Sequence, residues 1–383
     1  MPEISVLIPY YNDEDFLKES IQSVLNQTYK DFELILLNHA CTDSSREIAH
    51  SFPDSRIVHI DLPTNAGAGG GIILDTFLNA AHGKYLKLFC ADDILHENFL
   101  EKCISFFQNN PEKSIFFTNM NFINSDGKNE GHCWFQYRNF NINCESPEYE
   151  VLKNFFHGNS VLPLPACIFK RELAEKITID FSLVMEFDVL LWTRLLVAGG
   201  KLGFSGDCFV DYRIHSRQTS SSAHKIKAFT QSIFEHEILL DEFMKIMNLT
   251  LLEVIIDNPI KFQLQKFCLS EHADFFAKFL YAKFLLGINN FLYQRCGYKY
   301  IHDLLQKAES RKLLEEKLGY SIYDFRKTYS EIKISNNEDF FSYFFSGGHK
   351  NLNNLGIKGL FIEILRRLKR KIVKNKSDKL IPL

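Results

Sequence analysis

Tyr85-Leu86-Lys87-Leu88-Phe89-Cys90-Ala91-Asp92-Asp93 is an apolar, strand-like run that ends on two adjacent carboxylates. In an open α/β sheet, ligands bind beyond the carboxyl ends of the strands. Acids at that point therefore face the place where a ligand sits. No basic residue adjoins the pair, so it suits a hard divalent cation such as Mg²⁺ or Mn²⁺, which completes its shell with phosphate oxygens and water. The same pair also reads as a helix start, with Asp92 as N-cap of a helix beginning near Ile94. The rest of the N-terminal half favours the cation.

Outward from this run, short apolar segments alternate with helical periodicity. Ile4 to Ile8, ended by Pro9, reads as a buried strand. Asp13-Glu14-Asp15 supplies acids for the start of a helix in which Leu17, Ile21, Val24 and Leu25 recur. Phe32 to Leu37 and Arg56 to Ile60 are further strands, with a helix opened by Asp43-Ser44-Ser45 between them. Ile72 to Ala81 is helical and stops at Gly83; Ile94 to Asn109 is helical; Ser114 to Thr118 is a strand. Such alternation implies a mostly parallel sheet flanked by helices, an α/β fold. Beyond Asn119 the pattern loosens into a turn at Asn124-Ser125-Asp126-Gly127 and an aromatic stretch at Trp134 to Tyr137. Helices return at Tyr149 to Phe156 and Phe187 to Ala198, with a strand over Cys208 to Ile214. After Ala223 the chain reads as helical. The polar run Ser220-Ser221-Ser222 divides it into residues 1–220 and a mainly helical C-terminal domain, 221–383.

Composition narrows the class. At 383 residues, 46% hydrophobic and 24% charged, the chain is ordinary for a globular protein of two domains. A net charge of -3 argues against a polyanion binder, and no apolar run approaches the roughly 20 residues of a membrane span. No leader precedes the first strand, which points to a cytoplasmic protein. Nine cysteines without a C-x-x-C pair are expected as reduced thiols rather than a zinc site.

Several motifs in order then resemble the family 2 glycosyltransferases, inverting enzymes with the GT-A fold, a Rossmann-like sheet. They are Ser5-Val6-Leu7-Ile8-Pro9-Tyr10-Tyr11-Asn12, Ser20 to Tyr29, and Phe32 to Leu37 followed by Thr42-Asp43. Asn65-Ala66-Gly67, Gly83-Lys84-Tyr85 and Ala91-Asp92-Asp93 follow at family-like spacing. The resemblance covers residues 4 to about 220 and implies transfer of a sugar from a nucleotide-sugar donor.

The resemblance also implies roles. Pro9, Tyr10 and Asn12 would meet the donor nucleotide. Asn38 and His39 stand where the family carries two acids, one of which binds the uracil ring, so a UDP-sugar is the favoured donor but the base contact is altered. Asp43 would lie near the ribose or cap the next helix. Gly67, in Gly67-Ala68-Gly69-Gly70-Gly71, would bring backbone N–H groups to a phosphate or simply lend a flexible loop. Asp93 would bind Mn²⁺ or Mg²⁺, Asp92 the ribose or a metal-bound water, and His215, in Tyr212-Arg213-Ile214-His215, the metal or the diphosphate. An acid that the family's longer motif places at Cys90 is missing. Asp188, six residues before Arg194, would be the catalytic base, with Glu186 as the fallback. Pro165-Ala166-Cys167 and the stretch around Trp134 would face the acceptor.

These expectations describe inverting, metal-dependent transfer to a glycan or lipid-linked acceptor in bacterial cell-surface polysaccharide biosynthesis. The alternative is a catalytically weak relative that binds nucleotide or sugar, or scaffolds partners through its helical region. A nucleotidyltransferase would carry a basic, glycine-rich loop after the first strand, and Pro9-Tyr10-Tyr11-Asn12 is not one. The stretch Gly359 to Lys374 reads as a basic amphipathic helix, suited either to the inner face of an anionic membrane or to docking on the protein. No nucleic-acid module accompanies it.

Overall fold

The computed structural model describes residues 1–65, 70–218, 225–255, 272–288 and 290–331. Gly67, the boundary at Ser220 to Ser222 and the basic stretch 359–374 lie outside the described residues.

The N-terminal part alternates β1 (Ile4–Tyr10), α1 (Leu17–Leu25), β2 (Phe32–Asn38), α2 (Ser45–His50), β3 (Ile57–Asp61), α3 (Gly70–Ala80) and β4 (Tyr85–Leu88). β1 pairs in parallel with β2 on one side and β4 on the other, and β2 with β3. Alternation of side chains along a strand explains the two-sided burial of β1. Ile4, Val6, Ile8 and Tyr10 pack with Leu17, Ile21 and Val24 of α1 in one core cluster. Leu7, facing the other way, is equally buried.

The remainder comprises β5 (Ile94–Leu95), α4 (Phe99–Asn109), β6 (Ile115–Asn124), β7 (Asn129–Cys133), α5 (Trp134–Tyr137), α6 (Pro147–Phe156), β8 (Cys167–Lys170), α7 (Arg171–Ala174), α8 (Phe187–Val197) and β9 (Leu202–Ile214). The strand order is β3-β2-β1-β4-β8-β6-β9-β5, with β7 on β6. β8 runs antiparallel to both neighbours, while β6 and β9 are parallel. The sheet is thus parallel in its first half and mixed in its second.

The helix expected from Ile94 begins instead at Phe99, and Asp92 is not its cap. Ile94 and Leu95 pair antiparallel with Asp211 and Val210 of β9. The long β9 offers an open edge there, and that pairing overrides the local helical pattern. α4 is seated by Gln27, whose Oε1 accepts from Leu100 N at 3.0 Å and whose Nε2 donates to His96 O at 2.7 Å.

Gly83 sits where β4 approaches β1. A Cβ there would lie 2.5 Å from Ser5 N. Its N–H donates to Ser5 Oγ, which in turn donates to the buried Glu33 carboxylate at 2.6 Å.

Helices α9 (Lys225–Ile246), α10 (Leu249–Ile255), α11 (Ala273–Gly287), α12 (Phe291–Gln306), α13 (Ala308–Leu318) and α14 (Ile322–Glu331) follow. Met1–Ile288 and Leu292–Ser330 form one compact unit. Within it, Tyr293 Oη donates to Phe156 O at 2.9 Å, joining α12 to α6. His236, buried and 3.0 Å from Tyr293 Oη, is pulled down to a pKa of about 4 by burial and stays neutral.

Candidate functional site

Because β1, β2 and β4 are parallel, the loops after Tyr10, Asn38 and Leu88 emerge at one edge of the sheet. They form one wall of a cavity of about 570 Å³. Pro9, Tyr10, His39, Asp92, Asp188 and His215 all line it. Asn12, Asn38, Asp43, Asp93 and Glu186 do not.

The acidic motif is built in two layers. Asp92 lines the cavity, and its Oδ2 lies 2.9 Å from His215 Nε2. Asp93 is fully buried. Its Oδ1 accepts from Arg213 N at 2.9 Å, while its Oδ2 is buried without a hydrogen-bond partner. Burial and the Asp92 charge beside it push the Asp93 carboxyl well above the usual range. Arg213 secures the loop: Nε donates to Asp92 O at 2.8 Å and a terminal nitrogen to Glu19 Oε2 at 2.6 Å. Ligand atoms of Cys90, Asp92 and Asp93 lie within 4.8 Å of one another. An orphaned buried carboxylate oxygen, two further donors and an adjacent imidazole fit a divalent cation.

Asp188 stands in the first turn of α8, on the cavity wall. Burial raises its pKa to about 6, against the backbone hydrogen bonds and the Arg138 charge that lower it. Such a group is ionised at neutral pH yet basic enough to take a proton. Glu186, two residues earlier, ends the preceding loop with its N–H on Glu235 Oε2 at 2.7 Å. Arg194, six residues after Asp188, faces away from the cavity and pairs with Glu242 at 3.3 Å.

The nucleotide side divides. Pro9, Tyr10 and His39 face the cavity, and burial lowers the His39 pKa, leaving a neutral ring whose Nε2 has no partner. Asn38 is turned inward: Nδ2 donates to Asp61 Oδ1 at 2.8 Å and Oδ1 accepts from Cys41 N at 2.9 Å. Asn12, at a φ of 56°, ties its loop to the next one through Thr42 N at 2.9 Å. Asp43 accepts from Ser45 N at 3.0 Å at the start of α2.

Trp134 and Pro165 also line the cavity, whereas Ala166 and Cys167 are core. Trp134 Nε1 donates to Val161 O at 2.9 Å, and the Arg138 guanidinium lies 4.5 Å from its ring centre. The eight cysteines among the described residues are free.

Two charged cavity residues, Asp13 and Arg217, were not singled out by motif. Asp13 reads from sequence only as a helix-start acid. In the fold its Oδ2 accepts from Tyr11 N at 2.9 Å, and burial raises its pKa to about 6, with Asp92 and Asp43 adding to the shift. Arg217 reaches the wall with its guanidinium held by Asp15. Neither carries a local signal, because each acquires its place from a partner remote in sequence or from the loop's path.

Residues 5–178 match the family described as glycosyl transferase family 2. An uncharacterised glycosyltransferase of Methanocaldococcus jannaschii is 29% identical over 228 residues, 58% of this chain and 75% of its own length. A Bacillus subtilis protein named for teichuronic acid biosynthesis, TuaG, is 26% identical over 257 residues, 64% of this chain and 91% of its own. Among solved structures, residues 1–349 of S. aureus TarS in complex with UDP superpose with a TM-score of 0.51 at 15% identity. That match covers 93% of this chain and 95% of the other.

Proposed function

We propose, from the match of residues 5–178 to glycosyl transferase family 2 and from the relatives named as glycosyltransferases, that this chain is an inverting glycosyltransferase of glycan biosynthesis with Asp188 as base. The carrying observation is that Asp188, Asp92 and His215 open onto one cavity although they come from α8, the β4 loop and the end of β9.

The donor's nucleotide lies along Pro9, Tyr10 and His39, with its diphosphate toward Asp92, His215 and Arg217. The inward turn of Asn38 leaves His39 as the polar group offered to the base. A UDP-sugar is the favoured donor, in keeping with the UDP bound by TarS. Asp92 and His215 on the wall, with Asp93 behind, are the residues that would hold a divalent cation. When bound, that cation offsets the negative charge that develops on the leaving diphosphate. Asp188 accepts the proton of the acceptor hydroxyl as its oxygen attacks the anomeric carbon. The bond from that carbon to the diphosphate oxygen breaks on the opposite face, the nucleoside diphosphate departs with the bonding electrons, and the sugar ends up on the acceptor oxygen with inverted configuration. Trp134 and Pro165 form the acceptor side, where an aromatic face suits a sugar ring. The relative named for teichuronic acid biosynthesis supports a bacterial cell-surface polysaccharide as the setting.

The test is nucleotide release from UDP-, GDP-, dTDP- and CMP-sugars, with Mn²⁺, with Mg²⁺ and with chelator. One donor should turn over, and chelator should suppress it. Turnover that survives both chelator and Asp92→Asn would overturn the role given to the acidic motif. Silence on all donors, with no thermal shift by any nucleotide, would overturn the enzymatic reading.

A further inference from the structure

The loop that carries the proposed base is suspended from the helical region by a single carboxylate. Glu235 lies on α9, only 4% exposed. Its two oxygens accept from three successive backbone amides: Val184 N at 3.0 Å, Met185 N at 2.7 Å and Glu186 N at 2.7 Å. A buried anion on a run of N–H groups just before a helix N-terminus is a strong, directional attachment. Its removal would leave three amide donors to find other partners.

The attached segment is part of the cavity. Val184, Met185, Phe187 and Asp188 all line it, two of them held through their own N–H. The other end of α8 is fixed to the same helix, where Arg194 pairs with Glu242 at 3.3 Å. α8 is therefore held by α9 at both ends, and Asp188 sits between the two attachments. This carboxylate comes from a helix that follows the last strand of the sheet.

We propose that Glu235 is a positioning residue for the proposed catalytic base: it fixes the 184–188 loop so that the Asp188 carboxylate is presented to the acceptor side of the cavity. The helices after residue 225 thereby complete the site rather than merely adjoining it. This inference rests on the reading of Asp188 as base, but the attachment itself does not.

The experiment uses the full chain and the variants Glu235→Gln and Glu235→Asp, with Glu237→Gln on the same helix, which removes an ion pair to Arg295, as the control. Hydrogen exchange at Met185 and Glu186 reads the attachment directly. Glu235→Gln keeps the shape but replaces one acceptor oxygen with a donor, so exchange at these amides should quicken at least tenfold. With Mn²⁺ present, binding of UDP should stay within about twofold while kcat for the UDP-sugar that the wild type turns over falls at least tenfold, and the acid limb of the kcat profile should move. Glu235→Asp should recover part of both losses.

Three results would overturn the proposal. Unchanged exchange at Met185 and Glu186 would show that Glu235 does not hold the loop. Quickened exchange with unchanged kcat would show that the attachment does not position the base. Parallel loss of UDP binding, kcat and folded fraction would make Glu235 an element of stability only. If wild-type and Asp188→Asn chains turn over equally, it is the reading of Asp188 that fails, and the exchange result still decides whether Glu235 holds the loop.

Discussion

Asp188 has two properties that pull against each other. Burial lifts its pKa to about 6, which favours proton abstraction and opposes stability. A carboxyl whose pKa is raised on folding binds its proton more tightly in the native state. Its favourable contribution is therefore present below the ordinary carboxyl value and is lost as pH rises through about 6. Above that, the ionised group costs on the order of 2 to 3 kcal/mol. Two outcomes are expected. The logarithm of kcat should fall with unit slope below pH about 6. Asp188→Asn should abolish transfer, keep nucleotide binding and show a higher melting temperature at pH 8 than the wild type. A melting temperature several degrees below the wild type would contradict that assignment of the buried charge.

Asn38 shows how a departure from a family pattern can have a local cause. The resemblance calls for an acid there, yet Asn38 Nδ2 donates to Asp61 Oδ1 at 2.8 Å. An aspartate would set two carboxylates against each other on adjacent strands. Asn38→Asp should destabilise the fold by about 1 to 3 kcal/mol. Adding Asp61→Asn should restore much of that loss in chemical denaturation. The departure was legible in the sequence; its reason was not, because Asp61 lies on β3 and only the parallel register brings it alongside. The same holds for Glu235, whose partners lie about fifty residues earlier. Asp92 stands out by its place after a strand-like run, whereas Asp188 and His215 were singled out only through the resemblance to family motifs; the fold brings all three to one cavity.

At the scale of elements, strands and helices of the first half follow from periodicity alone, since each buries its apolar face against a sequence neighbour. The reading fails at Ile94, where the element is set by a distant edge, β9, rather than by its own pattern. Gly83 belongs to this scale. The β1–β4 pairing needs a residue without Cβ where the chain passes Ser5, and the Ser5–Glu33 hydrogen bond closes the junction. Gly83→Ala is expected to lower the denaturation midpoint substantially, by a few kcal/mol of stability, through displacement of backbone from backbone. Urea unfolding measures it, and a loss below about 0.5 kcal/mol would show that the junction yields easily.

For the whole molecule, the helices after residue 225 share polar and apolar contacts with the sheet region in one compact unit. A chain cut at residue 220 leaves the 184–186 amides without Glu235 and strips Tyr293 from Phe156. It should express as an aggregated or loosely packed species, visible as dye binding and lost near-ultraviolet dichroism. A soluble, cooperatively melting fragment that still turns over donor would contradict this.

The acidic motif has a further consequence when the chain is considered in time. Asp93 finds its amide donor 120 residues later, at Arg213, and Asp92 its imidazole 123 residues later, at His215. During synthesis these carboxylates precede the groups that hold them by a third of the polypeptide. A nascent sheet built from β1 to β4 carries its charged edge bare until β9 leaves the ribosome. The centre on which the chemistry is proposed to depend is thus among the last parts of the sheet to close, so an interrupted product of translation would hold the motif without its activity.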